Sequence, residues 1–151
     1  MTKINGAFQE LCKKGNLEEI KQFYFDNPTI NISANNECAF RWSCEYGHFK
    51  VAKWLLEVKP NINISAKNDE AFRLSCLDGH LKVAKWLLKI KPNINVSADD
   101  EYAFQMACAY SHLEVAKLLL QQNPQHYYIF ANNNLIKLEK IYSKKNKIAK
   151  I

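Results

Sequence analysis

Across residues 67–98 the apolar positions follow two helical patterns separated by a glycine. Asn68 precedes the run Asp69-Glu70-Ala71-Phe72-Arg73-Leu74-Ser75-Cys76-Leu77, and Gly79 follows it. Phe72 and Cys76 are four apart and so share one helical face. Asn68 predicts an N-cap, Asp69 and Glu70 suit the positive helix end, and Gly79 can take the left-handed conformation that closes a helix. Next, Val83, Ala84, Leu87 and Leu88 make the apolar stripe of a second amphipathic helix, with Lys82, Lys85 and Lys89 on its wet face. Pro92 removes a donor and biases Lys91 away from the helical region, so this helix ends there. Residues 93–98 alternate polar and apolar side chains, which predicts an extended return.

This two-helix pattern recurs. Pro28, Pro60, Pro92 and Pro124 stand 32 residues apart, and the same spacing holds Cys12, Cys44, Cys76 and Cys108. The dipeptides Ala7-Phe8, Ala39-Phe40, Ala71-Phe72 and Ala103-Phe104 keep it too. Gly15, Gly47 and Gly79 follow it with Ser111 as the exception, and His48, His80 and His112 repeat in units two to four. Asn36 and Asp100 stand where Asn68 does, so they are expected to cap as well. A pair of helices of about 10 residues cannot bury both apolar faces alone, whereas stacked copies cover one another in a row. The prediction is an all-α helical solenoid of paired antiparallel helices. Its array spans residues 1–134, in units of about 3–34, 35–66, 67–98 and 99–130. Unit one carries Glu19-Ile20-Lys21-Gln22 in place of the apolar pattern, a more polar outer face suited to an end of the stack. Residues 135–151 form a half-repeat: Leu135-Ile136-Lys137-Leu138-Glu139-Lys140-Ile141-Tyr142 reads as a capping helix, followed by a lysine-rich tail.

Composition changes this picture little. The chain has 151 residues, 48% hydrophobic and 24% charged, with 4 Gly and 4 Pro, which excludes a disordered or low-complexity chain. Its net charge of +6 invites a nucleic-acid reading, so its distribution decides. Residues 135–151 carry Lys137, Lys140, Lys144, Lys145, Lys147 and Lys150 against Glu139, while the rest has 15 basic and 14 acidic side chains. The excess therefore belongs to the tail, which reads as a solubilising end; nucleic acid is not the expected partner. No apolar run approaches the ~20 residues that span a bilayer, and the first residues lead into an amphipathic segment rather than an apolar signal core, so no secretory signal is expected. Five cysteines cannot all pair within the chain, so a reducing, intracellular compartment is expected, with the protein a monomer.

Gly47-His48-Phe49-Lys50-Val51-Ala52-Lys53-Trp54-Leu55-Leu56, its counterpart Gly79 to Leu88, and Ser111-His112-Leu113-Glu114-Val115-Ala116-Lys117-Leu118-Leu119-Leu120 resemble the Gly-His and second-helix half of the ankyrin repeat. Asn61-Ile62-Asn63 and Asn93-Ile94-Asn95 stand where that family has Asp-Val-Asn. The resemblance covers residues 3–125. Its Thr-Pro-Leu-His motif is replaced by Cys38-Ala39-Phe40-Arg41, Glu70-Ala71-Phe72-Arg73 and Tyr102-Ala103-Phe104-Gln105. The Thr–His bonding that ties neighbouring units is thus absent, and the β-hairpin finger is expected to be short. Asn-, Ile- and Lys-rich units of this kind further resemble the divergent ankyrin proteins of giant DNA viruses of amoebae, which would place the chain in a host cytoplasm.

The resemblance implies a non-catalytic module that binds a partner protein through its concave side. Carried over by position, that side takes Lys13, Lys14, Glu45, Tyr46, Leu77, Asp78, Ala109 and Tyr110 from the first helices. The finger ends add Asn35, Glu37, Lys67, Asp69, Asp99 and Glu101, with Arg41 and Arg73 in place of the family's His. Tyr46 and Tyr110 are the expected anchors, and the acids of unit four point to a partner with a basic patch. The alternative is nucleic-acid or anionic-surface association through the lysine tail. Cys44/His48, Cys76/His80 and Cys108/His112 each offer two metal ligands, but structural zinc takes four and no second pair stands at finger spacing. With no phosphate loop and four of the five Cys held in the repeat register, neither a cofactor, a metal nor a catalytic residue is expected.

Overall fold

Each proline-bounded unit folds as a helix pair. A computed structural model describes residues 2–123, and these form α1 (Lys3–Lys14), α2 (Leu17–Asp26), α3 (Ala34–Glu45), α4 (Phe49–Val58), α5 (Ala66–Leu77), α6 (Leu81–Ile90), α7 (Ala98–Ala109) and α8 (Leu113–Gln122). Among the described residues there is no strand, so the helical solenoid expected from the repeat is the fold, and no β-hairpin finger forms. The capping helix and lysine-rich tail expected over 135–151 lie outside the described residues. Each second helix stops two residues short of its proline. Lys59 and Lys91, which precede Pro60 and Pro92, sit near φ −132° and −138° with ψ 85° and 82°, the extended side of the map to which a following proline drives the chain.

The odd-numbered helices pack side by side, and more closely on each other than the even-numbered ones do. A row that is tighter on one layer curves towards it, so the first helices line the inner side. Between the layers runs a spine of equivalent residues: Phe8, Phe40, Phe72 and Phe104 are at most 1% exposed, beside Leu55, Leu87 and Leu119. Cys12, Cys44, Cys76 and Cys108 are buried in this spine, and none of them is in a disulfide. Burial pushes the Cys12 thiol up to about 12 and raises Cys44 and Cys76 as well, so at neutral pH they are small apolar fillers rather than nucleophiles.

The expected caps differ. Asn36, Asn68 and Asp100 do not cap α3, α5 and α7. They lie in the middle of left-handed turns: Asn35-Asn36-Glu37, Lys67-Asn68-Asp69 and Asp99-Asp100-Glu101 all have φ between 53° and 66°. Only beyond them does the chain become a right-handed helix. Left-handed backbone costs roughly 1–2 kcal/mol per residue, least for Asn and Asp, and those residue types supply six of the nine positions. The turn's own polar groups offset that cost. Glu37 accepts from the Asn63 N–H at 3.3 Å and Asp69 from the Asn95 N–H at 3.0 Å, each closing its unit's start onto its exit loop. Unit one has no such turn; α1 is right-handed from Lys3, and Asn5 makes the equivalent bond to the Asn31 N–H at 3.0 Å.

Two ties join neighbouring units. Arg41 donates from Nε to the Asn36 carbonyl (2.8 Å) and from Nη2 to that of Asn35 (3.1 Å), while its Nη1 meets Glu70 of the next unit. Arg73 repeats the fork on Asn68 and Lys67 and reaches Asp99 at 2.5 Å. The second tie runs backwards. His48 lies against Gly15 and its Nε2 donates to the Lys13 carbonyl at 2.7 Å. His80 lies against Gly47 and His112 against Gly79 in the same way, and a Cβ on any of these glycines would fall within 2.3–2.5 Å of the ring. Burial lowers the His80 pKa from its ordinary 6.5, so this ring is neutral at pH 7 with one N–H to donate.

Trp86 of α6 is half-buried, stacked edge-on against Phe49 (5.3 Å between centroids) and tilted against Phe40 (6.2 Å), and Trp54 meets Tyr24 of unit one at 5.6 Å. These contacts bridge units, yet part of each indole stays wet. Trp86→Ala is therefore expected to cost about 2 kcal/mol, less than a fully buried Trp. Urea denaturation would measure it, and a loss near zero would remove the indole from the interface.

Candidate functional site

The inner side of the first-helix row is built from positions three and four apart. The expected pairs Lys13/Lys14, Glu45/Tyr46, Leu77/Asp78 and Ala109/Tyr110 end the helices, and one turn earlier on the same face stand Glu10, Trp42, Leu74 and Met106. Trp42, Leu74 and Met106 are half-buried, and none was among the sequence-predicted positions. The signal was present: three apolar residues at 32-residue spacing, offset from the buried Phe–Cys face. Tyr46 is 40% exposed and Tyr110 63%, each ring lying nearly parallel to the His two residues on, at 6.5 and 6.4 Å.

Unit one and unit two meet here through a cation. The Lys13 ammonium sits over the Trp42 ring at 5.5 Å and the Tyr46 ring at 5.2 Å. A hydrogen bond with Tyr46, and its charge, raise the Lys13 pKa from its usual 10.5. Glu45 is also raised from its ordinary 4.5, first by burial and then by the neighbouring Asp78 and Glu70 carboxylates, against which Lys13 and Arg41 act. The middle of this face is thus aromatic and crowded with negative charge.

Other sequence-predicted positions are not on it. Glu37, Arg41 and Asp69 are 8%, 5% and 6% exposed. With no protruding finger, Glu37 and Asp69 are folded into the left-handed turn and accept from backbone N–H groups, while Arg41 forks onto the turn's carbonyls and pairs with Glu70. Arg73 is likewise spent on its own turn and on Asp99. Asp99 also accepts from the Asn68 side chain at 2.7 Å, so it ties units three and four, and Glu101 is half-buried. A basic patch opposite Asp99 and Glu101 would compete with those ties, and reversing both charges would disturb folding and binding together. Asp100, exposed between them, is the cleaner position.

Cys44 and His48 do not point at a common centre, since the thiol is fully buried and the imidazole is bonded to Lys13. Among the described residues no three His, Cys, Asp or Glu side chains converge as a metal site would require, and no helix is long and apolar enough to cross a membrane.

A family model described as ankyrin repeats (3 copies) matches residues 7–100. Among solved structures, the chain is similar to an ankyrin repeat family protein from Legionella pneumophila at 29% identity and a TM-score of 0.72. The match covers 80% of this chain and 37% of that one, so the chain spans little more than a third of its neighbour. No curated protein matches it.

Proposed function

Because this chain belongs to the ankyrin-repeat family, whose members generally mediate protein–protein interaction, we propose that it is a non-catalytic module that binds a partner protein through the inner side of its first-helix row. One observation carries the reading. That side presents Tyr46 and Tyr110 exposed beside half-buried Trp42, Leu74 and Met106, so apolar and aromatic surface recurs from unit two to unit four. Aromatic side chains with a polar tip offer large contact area at little rotamer cost, as binding anchors do. The sequence-predicted Lys13, Lys14, Glu45, Leu77 and Asp78 surround them.

Quantitative affinity capture from cells of the source organism tests this. The bait is the full chain, compared with a Tyr46→Ala/Tyr110→Ala variant and with Phe25→Ser on the opposite layer, where Phe25 is 81% exposed. Recovery of the bound protein is expected to fall at least about tenfold with the tyrosine variant and to stay unchanged with Phe25→Ser. Equal recovery from all three would move the site elsewhere.

The second reading, association with nucleic acid or an anionic surface, is carried by the lysine excess of residues 135–151. It predicts binding that falls steeply with salt and disappears from a chain ending at Asn134. An intracellular protein fits five cysteines of which none is in a disulfide. A giant-virus source is carried by composition alone, and the similar structure comes from Legionella pneumophila.

A further inference from the structure

We propose that the inner face takes a cationic amphipathic segment of the partner, one Arg or Lys seated on Trp42 and Tyr46 and its apolar side chains on Leu74, Met106 and Tyr110. The inference rests on the inner face being the binding side, and adds the chemistry of what binds there.

The two rings already hold an ammonium group. Lys13 lies within 5.5 Å of both centroids, inside the range over which the negative ring face attracts a cation. Lys13 comes from a neighbouring unit on a long flexible side chain at the surface, so a partner's cation can displace it with little loss of packing. The carboxylates next to the rings favour the exchange. Glu45 feels Asp78 and Glu70 at once. Of the cations acting on Glu45, Arg41 is fixed on Glu70 and two carbonyls, and Lys13 is the one that can leave. An incoming cation would restore what Lys13 supplied and also face Asp78. Beyond the rings, Leu74, Met106 and Tyr110 continue the face into units three and four without a further cation, which suits apolar side chains on the same segment. An anionic ligand would meet Glu10, Glu45 and Asp78 and is disfavoured.

The test uses the full chain and a random peptide library displayed on phage. Selected sequences are expected to carry Arg or Lys together with Leu, Ile or Phe at recurring spacing. A synthetic peptide of the leading sequence should bind at least tenfold more weakly to Glu45→Lys/Asp78→Lys and to Tyr46→Ala/Tyr110→Ala, both of which alter exposed or half-exposed side chains. Thermal melting should show each variant folded. Its affinity should also fall as salt rises from about 50 to 300 mM. Acidic or uncharged peptides that still need the two tyrosines would overturn the cationic partner while leaving the inner face as the binding side. Peptides indifferent to both variants would overturn the inner face itself, and so the reading beneath this one. Failure to enrich any peptide would overturn the linear segment. Tyrosine-dependent binding of a peptide spanning 135–151 would overturn the outside partner in favour of the chain's own tail.

Discussion

Arg41→Met is expected to destabilise the array by about 3–5 kcal/mol, a large part of the stability of a domain this size. Methionine keeps the length and the apolar stem but none of the donors. The Asn35 and Asn36 carbonyls then lose the Arg41 donors inside a left-handed turn, and Glu70 keeps a half-buried negative charge without its guanidinium. Leaving a buried charge uncompensated is what makes such losses large, more than the worth of the pair itself. Arg41→Lys should recover only part, because one ammonium cannot reproduce a planar fork over two carbonyls and a carboxylate. Gln105→Met is the contrast: Gln105 holds the Asp100 carbonyl alone, at 2.6 Å, and its loss should cost about 1 kcal/mol. Urea denaturation followed by circular dichroism ranks the three. A methionine variant within about 1 kcal/mol of the parent would mean that the turn is held by something else.

Gly47→Ala comes next, at about 2–4 kcal/mol. Two penalties add. Gly47 has φ 73°, where a Cβ is strained, and that Cβ would stand 2.5 Å from Nδ1 of His80. The ring cannot simply swing aside, because it is bonded to the backbone of Glu45 between two packed units. If displacement of the ring is a real part of the cost, removing the ring must relieve it. The double variant Gly47→Ala/His80→Ala should therefore be more stable than the sum of the single losses predicts, by about 1–2 kcal/mol. Strict additivity in that cycle would leave backbone strain as the whole effect and would break the link between the two residues.

Much of the fold was legible because it is a repeat. The spacing of proline, cysteine and Ala-Phe placed every described helix pair, and apolar periodicity chose the buried face. The turns were not legible. Asn68 followed by two acids has the form of an N-cap, and local pattern cannot tell a capping Asn from one in left-handed backbone, since the same short polar side chain favours both. What decides is Arg73, five residues on, whose fork gathers the carbonyls that only a left-handed turn presents to it. The Gly–His contact was closer to hand. Gly15, Gly47 and Gly79 each precede by 33 residues a histidine, and the register loses its glycine at Ser111, where the matching later residue is Lys144. A glycine kept only where the next unit has a histidine is the trace of a contact between them. On the inner face, Tyr46 and Tyr110, named from the family's positions, are exposed. Glu37 and Asp69 differ because no finger carries them outward, and Arg41, expected where the family has His, turns back onto the Asn35 and Asn36 carbonyls and Glu70.

The two ties point in opposite directions along the row, the arginine forward and the histidine back, so each inner unit holds a donor for one neighbour and a receptor for the other. A copy of residues 67–98 inserted after Ala98 would find its histidine facing the Gly79 already there, and the original Arg73 would meet the copied Glu70 as Arg41 meets Glu70 now. Lengthening by whole blocks therefore requires no newly evolved interface, and the number of blocks is free to change under selection for reach. A block cut at any other length would leave mismatched seams on both sides.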